Sequence, residues 1–118
     1  MIQEDLKTLL GGVTECAGRV YPVFAGDKPG LPYIVYQRVS AVPDNVLDDR
    51  VIGTSKTHMQ IDIYDRTYKS VRDISVEVIA LLQGWATPNY LQNTQDFYEG
   101  EDVQLFRVML DVSIQHAN

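Results

Sequence analysis

The sequence predicts an α+β fold: a mostly antiparallel sheet of about four to five strands with two helices packed on one face. Two observations carry that prediction. From Thr57 to Tyr64 the chain alternates, with Met59, Ile61 and Ile63 on one side and His58, Gln60, Asp62 and Tyr64 on the other, the period of a half-buried strand. Then the period changes. Val71, Ile74, Val78, Leu81 and Leu82 recur at steps of three and four, on one arc of a helix that Asp65 or Thr67 can cap. A strand and a helix with one apolar face each, joined by a few residues, are the unit of a helix laid on a sheet.

The remaining elements follow in chain order. Ile2, Leu6, Leu9, Leu10 and Val13 share one helical face; Glu4 and Asp5 suit the positive end of that helix, and Gly11 with Gly12 can stop it. Cys16 just beyond reads as a small buried apolar group. Arg19 to Phe24 predicts a short strand, and Pro22, which cannot donate to a ladder, sends it to an edge. Ala25 to Pro32 is turn chemistry. Tyr33 to Val42 is a long strand, with Tyr33, Val35, Val39 and Ala41 on one face and Ile34, Tyr36, Arg38 and Ser40 on the other; both faces are partly apolar, so another subunit can cover the side away from the helices.

Pro43 to Lys56 predicts a long loop or a long hairpin. Its Asp44, Val46, Leu47, Asp48, Asp49, Arg50, Val51 and Ile52 mix charge with apolar material that a docking partner can bury. Gly84, Trp85 and Pro88 end the second helix. Asn89 to Tyr98 and Val103 to His116 then form a hairpin around the acidic turn Glu99 to Asp102, with Phe106, Val108, Leu110, Val112 and Ile114 on the core face of the last strand.

A chain of 118 residues predicts one domain, and 45% hydrophobic with 22% charged residues is ordinary globular composition. A single cysteine excludes an internal disulfide. The start, MIQEDLKTLL, has no basic region followed by an apolar run, and no stretch approaches a membrane span, so a cytoplasmic chain is expected. The formal charge is −6 and the ten basic residues are scattered, which disfavours avid nucleic-acid binding. Acid can instead line a passage along which DNA slides without sticking.

Candidates for chemistry are weak. Ala25 to Pro32 lacks the Lys-Ser/Thr ending of a phosphate-binding loop. Asp44, Asp48 and Asp49 do not have EF-hand spacing, and His58 and His116 have no zinc-site spacing. A Cys16/His58 nucleophile pair, or the carboxylate pairs Asp62/Asp65 and Glu99/Glu101, would have no supporting motif. No catalytic residue, metal or cofactor is expected. The seven tyrosines point elsewhere, since tyrosine is favoured at protein interfaces; with their neighbours, Tyr33, Tyr36, Arg38 and Tyr64 are the expected subunit contact.

Arg19-Val20-Tyr21-Pro22, then Pro32 to Gln37 (PYIVYQ), Gln60 to Tyr64 (QIDIY), the Tyr98 to Glu101 turn and Phe106-Arg107-Val108 stand in an order that resembles the tail completion proteins of long-tailed bacteriophages, also called tail terminator or tail-to-head joining proteins. The resemblance spans nearly the whole chain. It implies a structural α+β subunit of the virion tail, assembled in the bacterial host. Such subunits form a homo-oligomeric ring of about six at the head-proximal end of the tail. The ring stops polymerisation of the tail tube protein and meets the head completion, or neck, protein, while DNA passes through its centre. Another neck or minor tail component, or a small carboxylate-dependent enzyme, are the alternatives.

Overall fold

A computed structural model describes residues 2–13, 16, 19–23, 30–45, 51–99 and 105–117. The elements run α1 (Ile2–Leu10), β1 (Val20–Pro22), β2 (Tyr33–Asn45), β3 (Val51–Asp65), α2 (Tyr68–Gln83), β4 (Asn89–Glu99) and β5 (Leu105–Ala117). The five strands make one sheet in the order β1-β2-β3-β5-β4. Three of its four pairings are antiparallel, and the edge strand β1 runs parallel to β2. The α+β prediction is met.

Period decides which face is buried. On β3, Met59, Ile61 and Ile63 are fully buried, and across the register they meet Val112, Leu110 and Val108 of β5, also fully buried. On the other flank Ile63 pairs with Ile34 and Ile61 with Tyr36, and Val20 of β1 extends the row. Onto this one face α2 lays Val71, Ile74, Val78 and Leu82, and α1 lays Leu6 and Leu10, with Val13 and Cys16 closing the corner. Leu81, expected on the arc of α2, is only half-buried, and Ser75 takes a buried place instead by donating its hydroxyl to the Arg72 carbonyl at 2.7 Å.

The helix ends follow from side chains. Thr67 is the N-cap of α2, its hydroxyl accepting from Ser70 N–H at 3.2 Å, while Asp65 accepts from the Ser70 hydroxyl and the Arg66 amide. Gly84 ends the helix with φ −85, so no left-handed turn is used; Asn89 Nδ2 donates instead to the Leu82 carbonyl at 2.9 Å.

Two features depart from the simple strand pattern. The register steps by one residue between Arg38 and Ser40, a bulge that leaves Val39 exposed and interrupts the alternation expected through Ala41. And the long-loop alternative for Pro43 to Lys56 gives way to the hairpin one: β2 and β3 continue to pair through Pro43↔Ser55 and Asn45↔Val51, with residues 46–50 outside the described set. Turn residues dominate that stretch, yet ladder bonds outweigh their local preference.

Candidate functional site

Helices cover one face of the sheet, and among the described residues no helix covers the other. A one-sided antiparallel sheet normally turns polar residues outward. This one does not. Tyr21, Tyr33 and Tyr64 form an aromatic row across β1, β2 and β3, with Tyr33 stacked on Tyr64 at 4.8 Å and edge-on to Tyr21 at 6.3 Å. Register explains the row: Tyr33 lies directly opposite Tyr64, and Tyr21 opposite Val35.

Beside that row, Asp62 occupies the middle of the central strand and is only 4% exposed, on the face without helices. A buried carboxylate is retained only where it is paired and hydrogen-bonded. Arg107 of β5 supplies the charge, its guanidinium 3.7 Å from Asp62 Oδ1, and Gln60 Nε2 donates to Asp62 Oδ2 at 2.9 Å. The same guanidinium lies 4.4 Å over the Phe97 ring of β4. One arginine thus ties β3, β5 and β4 together across the open face. Further along, His58 Nδ1 and Gln92 Oε1 are 2.9 Å apart, above a shallow cavity of about 470 Å³ lined by Lys56, Tyr90, Ser113 and Gln115 among others.

A second aromatic group, Tyr68, Tyr98 and Phe106, lies where α2 begins. Tyr68 donates its hydroxyl to Asp96 Oδ2 at 2.7 Å, and that bond to a carboxylate holds its pKa above the ordinary tyrosine value. Burial, then the carboxylate of Glu4, raises the pKa of Tyr36.

The residues expected at a subunit contact are not brought to one patch. Tyr33 and Tyr64 meet on the helix-free face, whereas Tyr36, 5% exposed, belongs to the core on the opposite face, and exposed Arg38 stands across from Met59 at the end of that row. Tyrosine suits either environment, so the residue type alone does not separate them. Of the docking segment, Asp44 lies in β2 and Val51 and Ile52 in β3; Val46, Leu47, Asp48, Asp49 and Arg50 lie outside the described residues. The grouping of Asp62, Arg107 and Phe97 comes from the structure; the sequence offered Asp62 only as half of a carboxylate pair and Arg107 only within a motif. A carboxylate in the middle of an apolar strand was the available signal for the first; its partner depends on register.

The chemical candidates come apart. Cys16 is in the core beneath α1 while His58 is on the other face, and Asp62 and Asp65 are of opposite parity on β3 and take separate partners. Glu101 and the side chain of His116 lie outside the described residues, among which no three His, Cys, Asp or Glu gather as a metal site. No described helix is long and apolar enough to cross a membrane. A family model described as tail completion protein gp17 matches residues 3–117. No curated protein matches the chain.

Proposed function

The chain belongs to the tail completion protein gp17 family, structural components of the phage tail, and from that premise we propose that it assembles into a ring at the head-proximal end of the tail. The ring stops polymerisation of the tail tube protein and gives the head's neck protein a surface to join. It works by contact, without catalysis.

The observation that carries the ring reading is the helix-free face. Tyr21, Tyr64 and Phe97 present aromatic area there around the buried Tyr33, and the Asp62–Arg107 pair lies beside them. Rigid aromatic anchors around a desolvated charge pair are the composition of an interface centre. Heterologous contacts through such a face close into a ring when the rotation between neighbours is a simple fraction of a turn. A net charge of −6 suits a lumen through which DNA slides without sticking. The β2–β3 hairpin, continued as far as Asn45 and Val51, is the part we assign to docking on the tube or neck.

Light scattering over a hundredfold range of concentration tests the assembly directly. A closed hexamer, or a monomer passing to one without intermediates, is expected, with a central hole by electron microscopy. Monomer or dimer at every concentration, with no ring on purified tails, overturns the reading. Removing Asn45 to Ile52 leaves the far-ultraviolet circular dichroism of a folded chain and abolishes tail capping.

A further inference from the structure

The two edges of the sheet are built differently. β1, at one end, has three residues and contains Pro22, both devices that keep an edge from pairing with another chain. β4, at the other end, has 11 residues, with no Pro, Lys or Arg in Asn89–Glu99 and one register shift near its start, between Leu91 and Asn93. From Gln92 to Tyr98 every residue is exposed.

The phase of the ladder says which backbone groups are offered. Gln115 N–H donates to the Pro88 carbonyl at 2.9 Å, so odd-numbered residues of β5 bond toward β4. Their partners past the shift are Asn93, Gln95 and Phe97, opposite Asp111, Met109 and Arg107. The N–H and C=O of Thr94, Asp96 and Tyr98 therefore point out of the sheet. Phe97 flanks this row on the helix-free side and Tyr98 on the other.

Charge selects the occupant. Between Asp73 and Phe106 the sequence carries Asp73, Glu77, Asp96, Glu99, Glu101 and Asp102, and no Lys, Arg or His. Of the cations around the edge, Lys69 is opposed by Asp73 and Arg107 by Asp62, and Arg72 acts on Tyr68, whose hydroxyl bonds Asp96; the strand itself carries acid and no cation. A second copy of β4 would set acid against acid, and β1 of a second copy is too short and proline-bearing to fill the row. We propose that the free edge of β4 takes up an extended, cationic segment of a different protein as a sixth strand, its backbone paired with Thr94, Asp96 and Tyr98 and its lysines or arginines beside Asp96. This contact borders the face assigned to the ring at Phe97 but uses the backbone edge of β4, and it stands whether or not the ring reading does. The added strand would carry apolar residues on the side of Phe97, because successive side chains alternate between faces.

The probe is a capped peptide of about eight residues, lysine alternating with valine and threonine, titrated into the full isotope-labelled chain by NMR, with a glutamate-for-lysine peptide as control. Amide shifts centred on Leu91 to Tyr98 are expected, with slowed hydrogen exchange at Thr94, Asp96 and Tyr98 and no response to the glutamate peptide. Binding weakens about two- to fivefold in Asp96→Asn, and further as ionic strength rises from about 0.05 M to about 0.5 M. Thr94→Pro abolishes binding while leaving the chain folded, because the amide it removes is outside the ladder. Thr94→Lys, which keeps the whole backbone, weakens it as well. Equal binding of the two peptides, shifts centred elsewhere, no shifts at millimolar peptide, or unchanged binding to folded Thr94→Pro and Thr94→Lys overturns the proposal. So does a change in the oligomeric state of the chain caused by Thr94→Pro alone, since that would place a second copy on this edge.

Discussion

Replacing Arg107 with methionine keeps much of the side chain's volume and removes its charge. Asp62 then loses the guanidinium beside it while it keeps the Gln60 amide, at 2.9 Å, in a position 4% exposed. At the observed 3.7 Å the gross attraction of the pair is about 4–5 kcal/mol for an effective dielectric of about 20. That figure is not the cost of the substitution, because pairing also offsets the desolvation of both ions. Removing one partner of a buried pair costs about 3–5 kcal/mol, and the 23% exposure of the Arg107 side chain, which screens the interaction, lowers the expectation to about 2–4 kcal/mol. Urea unfolding measures this directly, and for a chain of this size the melting temperature should fall by about 8–16 °C. Adding Asp62→Asn to the methionine variant should recover about half of the loss, since a neutral amide is cheaper to bury than a carboxylate that has lost its arginine. A loss below about 0.5 kcal/mol, or no recovery in the double variant, would refute the claim that this face holds a desolvated ion pair.

Ile61→Ala, at a site with no exposure between Tyr36 and Leu110, should cost about 2–5 kcal/mol in the same urea assay, and Ile61→Asp should give a chain with no cooperative melt. Thr67→Ala should cost about 1 kcal/mol by lowering the urea midpoint without changing the slope. In an ultraviolet phenolate titration Tyr36 and Tyr68 should ionise above the ordinary tyrosine value, Tyr36 because of burial and Glu4, Tyr68 because of its bond to Asp96. Asp96→Asn should bring Tyr68 back toward the ordinary value. The sign follows from linkage: a phenol with a raised folded pKa holds its proton more tightly when folded. The stability it adds is complete below the ordinary value of about 10 and is lost as pH rises through the folded value; Tyr36→Phe should remove the share of that alkaline loss due to Tyr36.

Most of the fold was legible because most of it is periodic. The change of period at Asp65 marks both β3 and α2, Ile2–Leu10 has the bounds its apolar stripe predicts, and Pro22 places β1 at an edge. What was hidden depends on register between distant strands. That β1 runs parallel to β2, or that Arg107 lands beside Asp62, is set by how the sheet assembles, and neither leaves a local pattern. Tyr36 was misleading for a different reason: its ring is apolar enough for the core and its hydroxyl polar enough for a surface. The hairpin between β2 and β3 was half-hidden because Pro43, Asp44, Asn45, Gly53, Thr54 and Ser55 are turn formers, which cross-strand pairing overrules.

The order of the strands also constrains how the protein is made. β4 is synthesised before β5, yet its place in the sheet is beyond β5, so as it leaves the ribosome it has no neighbour to bond. β3 at that moment is paired on one side only. Until β5 joins, β4 has no partner and one side of β3 stays open; Val108, Leu110, Val112 and Ile114 then close both gaps together. A chain cut before Leu105 should therefore aggregate when expressed, since it keeps β4 and the open side of β3 but lacks the strand that joins them.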